Sequence, residues 1–214
     1  KCDLTKRKKL EKILNAYRFK SVINLAAQAG VRYSLEKPEE YVKSNLVGFF
    51  NILDLTKQNR IKNFIYASSS SVYGEQGIGK FSEDDTSANN PEQFYAATKR
   101  SNEIIARSYS NLFKISTIGL RYFTVYGPYG RPDMSLFKFT KGIIEEKNIN
   151  LFNRGNHIRD FTYVEDIVNF INKIILKPPN FKIPYEIFNL SSNKPQELKY
   201  FLSLIEKFLG KKAN

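Results

Sequence analysis

A chain of 214 residues, 42% hydrophobic and 26% charged, is long enough for a sizeable core and ordinary in composition for a globular protein. Thirty-four basic against twenty-one acidic residues give a net charge of +13, yet the lysines are spread over helix faces and termini with no arginine-rich arm, which argues against a nucleic-acid partner. The single Cys2 excludes an intrachain disulfide and a cysteine zinc site, the single His157 all but excludes a histidine-ligated metal or a Ser-His-Asp triad, and no apolar run reaches the length of a membrane span.

In chain order, Leu10, Ile13, Leu14 and Tyr17 recur at helical spacing after a polar start at Asp3 and Thr5. Residues 21–26 read as a short strand. Pro38 opens a helix reaching Gln58, with Val42, Leu46, Phe49, Phe50 and Leu53 as its apolar positions. Residues 64–68 form a buried strand, 91–113 enclose a long helix, and 115–122 form the strand that follows. After Gly127-Pro128 the pattern changes to helix over 135–146, extended chain over 149–152, helix over 164–176, strand over 186–190 and helix over 196–209. Asn153-Arg154-Gly155-Asn156 reads as a turn, so His157 is expected in a solvent-facing loop and Arg154 as a solvated cation. The alternation of strands and helices predicts βαβ units and a parallel sheet.

Two segments carry chemistry: Ser68-Ser69-Ser70-Ser71-Val72-Tyr73-Gly74 and Tyr95-Ala96-Ala97-Thr98-Lys99. A Tyr and a Lys four apart on a helix project from one face, and a nearby cation favours the phenolate of a group that otherwise titrates at about 10. A serine at a strand end supplies a third polar group for a substrate oxygen. In open α/β sheets the ligand crevice lies beyond the carboxyl ends of the strands, so the serines, Tyr95 and Lys99 converge there. Such a set takes a proton from an alcohol while something else takes the hydride. Tyr-x-x-x-Lys by itself also occurs on solvated helix faces; its place after a serine-ended strand is what gives it weight. Leu25, Ala26 and Ala27 follow a strand, where small residues admit a cofactor close to backbone but also serve packing. Asn45 has poor propensity for mid-helix, which points to a polar task such as bracing the site, with a solvated asparagine as the alternative.

These motifs together resemble the extended short-chain dehydrogenase/reductases, in particular the nucleotide-sugar epimerases and dehydratases. The segments from Asn24 to Ser34 and from Gly127 to Met134 are similar to those of the UDP-glucuronate 4-epimerases, and the likeness runs from about Asp3 to about Asn193. The resemblance implies an α/β fold: a Rossmann-like doubly wound parallel sheet with a smaller mixed α/β substrate lobe. Residues 1–127 would form a partial NAD-binding domain and 128–214 mostly the nucleotide-sugar lobe, with helix 164–176 packing back on the sheet. It further implies NAD as cofactor, a UDP-sugar as substrate, no metal, a cytoplasmic location, and a homodimer through helices 38–58 and 92–113.

By the same resemblance Tyr95 is the general base, Lys99 its cationic partner on the nicotinamide ribose, and Ser69, four residues before Tyr73, the catalytic serine. Among four consecutive serines, a share of that role for Ser70 stays open. Asp3 and Leu4 match a strand end that contacts adenine. Leu25, Ala26, Ala27, Asn45 and Ser68 join Tyr95, Lys99, Tyr122 and Phe123 on the cofactor side. Ser70, Ser71, Thr124, Arg131, Met134 and Arg159 are assigned to substrate, Arg159 as a guanidinium pairing with phosphate.

Two departures from the family pattern stand out. The glycine-rich loop that opens a dinucleotide fold does not occur in the sequence, nor does the family's distal Arg-x-x-Asp segment, so the chain is expected to be a fragment without its N-terminal βα units. The expected activity is reversible 4-epimerisation of UDP-glucuronate to UDP-galacturonate through a 4-keto sugar. Ser70-Ser71 stand where the 4,6-dehydratases of the family place Asp-Glu, which argues against dehydration, and Gly-Arg-Pro-Asp-Met fits epimerases better than decarboxylases. Epimerisation of UDP-glucose or UDP-N-acetylglucosamine, and a catalytically silent fragment, remain as alternatives.

Overall fold

The computed structural model describes residues 1–74 and 81–214. In chain order its regular elements are α1 (Arg7–Ala16), β1 (Ser21–Asn24), α2 (Tyr33–Glu36), α3 (Pro38–Tyr41), α4 (Phe49–Gln58), β2 (Asn63–Ser69), α5 (Phe94–Phe113) and β3 (Ser116–Tyr122). These are followed by β4 (Thr124–Tyr126), α6 (Ser135–Ile144), β5 (Ile158–Tyr163), α7 (Val164–Ile174), β6 (Tyr185–Leu190), β7 (Pro195–Glu197) and α8 (Leu198–Leu209). The chain divides into two compact units, one holding residues 1–122 and 171–189, the other residues 123–170 and 190–214. The division expected at residue 127 therefore lies slightly beyond the boundary observed between the units.

The first unit is built on a sheet of order β1-β2-β3-β6, in which β1 pairs with β2 and β2 with β3 in parallel. A parallel strand covered on both faces reads as a continuous apolar run, and in β2 Phe64, Ile65 and Tyr66 are fully buried. Phe49 of α4 sets its ring edge-on against Phe64 and Tyr66, with centroids 5.6 and 5.2 Å apart, and Leu10, Leu14, Leu53 and Leu55 complete the cluster. The β2–β3 register places Ser68 opposite Arg121 and Ser69 opposite Tyr122 at the carboxyl ends of the two strands.

The helix expected over 38–58 forms, but Val42–Gly48 is wound as a π-helix between α3 and α4. The wider turn shifts which side chains face inward. Asn45 is 1% exposed, whereas Val42, Val47 and Phe50 lie on the surface, so Val42 and Phe50 are not the core positions their periodicity suggested. Ile13 and Tyr17 are likewise exposed, because only Leu10 and Leu14 of α1 reach the core and the helix ends before Tyr17.

In the second unit β5 runs parallel to β4 and antiparallel to β7. Phe139 and Ile143 of α6 pack with Ile205 of α8. This small sheet was not foreseen from sequence: its strands are three to six residues long, too short for an alternation to declare itself. The extended stretch expected over 149–152 is not a strand, and the chain turns through Phe152–Gly155 instead. Pro195–Glu197 is an edge strand, so the last helix starts at Leu198 rather than at Gln196.

Candidate active site

Lys99 lies one turn beyond Tyr95 on α5, and its ammonium sits 5.9 Å from the centroid of the Tyr95 ring. The ammonium donates a 2.8 Å hydrogen bond to the carbonyl of Ala67 in β2. The side chain is 3% exposed and has no carboxylate partner in that bond; burial lowers its pKa to about 8. Tyr95 remains partly exposed, its backbone N–H donates to Ser34 Oγ at 3.3 Å, and its ring meets the edge of Tyr41.

Ser69 follows Ala67 by two residues and ends β2 in extended conformation. Its Oγ accepts from the Ser71 N–H at 3.2 Å and from the Ser71 hydroxyl at 2.9 Å. In both of these bonds Ser69 Oγ is the acceptor, which leaves its hydroxyl proton unused by them. Ser71, expected to touch substrate, spends its own proton on Ser69. Ser70 and Ser69 are both half-buried.

Asn45, assigned to the cofactor from sequence, is a brace inside the wall. Its Oδ1 accepts from the Gln28 N–H at 2.7 Å, and its Nδ2 donates to the Gln28 carbonyl and to Thr98 Oγ1, both at 3.0 Å. Thr98 in turn donates to the Tyr95 carbonyl at 2.8 Å, so the loop after β1 is tied to the turn of α5 that carries Tyr95 and Lys99. Ser68 is also inside the wall rather than on its surface: 2% exposed, it donates to Glu103 Oε1 at 2.6 Å.

A dinucleotide fits what this unit exposes. Leu25 is 57% exposed and Ala26 lies open beside it, an apolar shelf at the carboxyl end of β1. The Tyr122 hydroxyl, on the last residue of β3, is buried without a partner among the described residues, and burial pushes it up to about 12, so it stays a neutral donor. Asp3 is more locally engaged than expected, its carboxylate accepting from the Thr5 N–H at 2.8 Å and hydroxyl at 2.9 Å. The Leu4 carbonyl accepts from Asn51 Nδ2.

In the second unit Thr124, Met134 and Arg159 line one hollow of about 200 Å3 together with Ser135, His157, Phe161 and Leu198. His157 is thus half-buried in the wall of a cavity rather than a free loop residue. Asp160, between the lining residues Arg159 and Phe161, ties β5 to the chain after β6: one carboxylate oxygen accepts from the Ser192 N–H at 2.7 Å and hydroxyl at 2.9 Å, the other from the Lys194 N–H at 3.0 Å. Arg159 is exposed beside it, bonded only to the Ile158 carbonyl among these contacts. Arg131 is not in the hollow; it pairs with Asp133 in its own loop. Arg154 is exposed, and Phe123 bonds through its N–H to the Leu190 carbonyl.

Sequence reasoning missed Glu103, Arg121, Thr98 and Gln28. A signal for two of them was present: Glu103 falls four residues after Lys99 on the same helix face, and Arg121 is the one charged residue in the strand 115–122.

The fold and these residues place the chain in one family. It belongs to the NAD-dependent epimerase/dehydratase family, whose model matches residues 1–191. It is 50% identical over 206 residues to Protein CapI of Staphylococcus aureus, covering 90% of this chain and 61% of that protein. To the UDP-glucuronate 4-epimerase of Thermodesulfobacterium geofontis it is 43% identical over 212 residues, covering 99% of this chain and 64% of that one. Among solved structures it resembles the UDP-glucuronic acid 4-epimerase from Bacillus cereus in complex with UDP-glucuronic acid and NAD, with TM-score 0.86, 35% identity, and 96% and 63% of the two chains covered. The chain thus spans under two thirds of the length of these relatives.

Proposed function

We propose that this chain carries the catalytic centre of an NAD-dependent UDP-glucuronate 4-epimerase. The observation that carries the reading is the Tyr95–Lys99 pair on α5, held against the serine-ended strand β2 by the bond from Lys99 to the Ala67 carbonyl. Relatives named as UDP-glucuronate 4-epimerases support the substrate.

Tyr95 would take the proton from the sugar 4-hydroxyl and return it after the sugar has turned over. Ser69 would hydrogen-bond the same substrate oxygen, and Lys99 would stabilise the Tyr95 phenolate that takes up the proton. The Leu25–Ala27 shelf, Tyr122 and Lys99 would hold NAD, which when bound would supply hydride chemistry at C4 of the sugar. Loss of a proton and a hydride leaves a 4-keto sugar, which with a C6 carboxylate is a β-keto acid prone to lose carbon dioxide. We assign Arg159, Met134 and Thr124 to the nucleotide-sugar side, the guanidinium suiting phosphate.

The test is turnover of UDP-glucuronate by the full-length protein with NAD, with the two epimers resolved. Tyr95→Phe is expected to cut kcat by about a thousandfold with binding of the nucleotide sugar retained, the range for removing a general base. Conversion of UDP-glucose or UDP-N-acetylglucosamine with no action on UDP-glucuronate would overturn the substrate and keep the mechanism. A homodimer is part of the proposal. On α5 the exposed Ile104 and Leu112 lie on one face with Ala97, Ser101 and Ser108, and Val47 and Phe50 are exposed on the helix 38–58. Two such helices pairing with their copies would cover that apolar surface.

A further inference from the structure

Behind the candidate catalytic residues lies a buried charged cluster to which no role has yet been given. Glu103 is completely buried and receives four hydrogen bonds. Arg121 Nε and Nη2 each reach one of its oxygens at 2.9 Å, Ser68 Oγ donates at 2.6 Å, and Arg100 Nη1 donates at 2.8 Å. Arg121, 2% exposed, uses its remaining nitrogen on the Tyr73 hydroxyl at 2.6 Å. That hydroxyl in turn donates toward the Ser82 carbonyl and Asn189 Oδ1, at 2.9 and 2.8 Å. Burial alone would raise the Glu103 carboxyl, but the hydrogen bond and charge of Arg121, with Ser68 and Arg100, outweigh it and hold the group ionised.

A buried ion pair is a poor source of stability, since desolvation consumes most of its Coulombic gain. Its geometry, in contrast, is directional: a bidentate guanidinium–carboxylate fork fixes both groups in one plane. The elements it joins are the ones that matter here. Glu103 stands four residues beyond Lys99 on α5; Ser68 lies between Ala67, which accepts from Lys99, and Ser69; Tyr73 closes the turn that follows Ser69. The end of β2 is therefore gripped at Ser68 by the helix that presents Tyr95 and Lys99, and the turn after it is gripped through Tyr73 by the same fork.

We propose that the Glu103–Arg121 pair, acting through Ser68, is a positioning device that sets where Ser69 stands relative to Tyr95 and Lys99. This rests on the epimerase reading, so its test separates the two. Ser68→Ala in the full-length protein deletes the link and leaves the ion pair intact, avoiding the unfolding that an uncompensated Arg121 would risk. The expected result is a fall in kcat of at least tenfold with KM for the nucleotide sugar within twofold of the parent. Ser68→Thr, which keeps a hydroxyl, is expected to recover most of the loss. The same variants are compared by backbone hydrogen exchange over residues 67–71, where Ser68→Ala is expected to exchange at least tenfold faster. Unchanged kcat in Ser68→Ala, or a rise in KM that accounts for the whole loss, overturns the proposal. If the parent turns over no UDP-sugar, the epimerase reading fails by itself; exchange unchanged in Ser68→Ala then overturns the positioning role as well, and faster exchange supports it.

Discussion

Lys99 sets a cost in stability against the charge that the proposed chemistry needs at Tyr95. Its ammonium is buried against a backbone carbonyl, and its pKa falls from 10.5 to about 8 because water is missing around it. At pH 7 the lysine is charged in both the folded and unfolded chain, so the desolvation cost is fully present. Between about 8 and 10.5 the unfolded chain holds a proton that the folded one has released, and stability therefore climbs with pH through that window. The shift corresponds to ~3 kcal/mol, of which the lost bond to the Ala67 carbonyl would take back about 1 in a substitution. Lys99→Met in the cofactor-free full-length protein is thus expected to be more stable by ~2 kcal/mol at pH 7, with the gain fading by pH 10. Urea titrations at the two pH values measure it. The same variant is expected to lose turnover by a hundredfold or more, since proton transfer at Tyr95 loses its cation.

At the scale of the element, β3 depends on a residue with no side chain. Gly119 lies opposite Tyr66 in the β2–β3 register, and a Cβ there would stand 2.4 Å from Ile187 Cδ1 and 2.6 Å from the Tyr66 hydroxyl. The large aromatic on one strand thus needs an empty position on the next. Gly119→Ala is expected to destabilise by about 3 kcal/mol, the upper range for overpacking a tight core, read as an earlier urea midpoint with an unchanged slope. The π-helical Val42–Gly48 poses a second demand: it turns Asn45 inward, where three hydrogen bonds join the loop after β1 to α5. Asn45→Leu keeps the branched outline and removes all three, and is expected to lower both the urea midpoint, by about 2–3 kcal/mol in stability, and kcat.

For the whole molecule, the dimer proposal makes a separate claim. Phe50 is 42% and Ile104 57% exposed on their helices. The double substitution Phe50→Glu and Ile104→Glu in the full-length protein is expected to convert a dimer into a monomer by sedimentation; a parent that sediments as a monomer would remove the claim. The amino-acid sequence by itself determined the parallel sheet, its strand and helix order through β3, and the placing of Tyr95 and Lys99 one turn apart on one helix, because continuous apolar runs and a four-residue helical spacing are local properties. The tertiary structure alone decided which polar groups face the site and which stand behind it. Four consecutive serines are equal in sequence, yet one is bonded to a buried carboxylate, one receives two hydrogen bonds, and one supplies them. Glu103 and Arg121 are 18 residues apart in the chain and meet only because β3 lies beside β2 beneath α5. Pairing of that kind is set by packing between elements, where the partner of a charge is chosen by the fold and not by its neighbours in the chain.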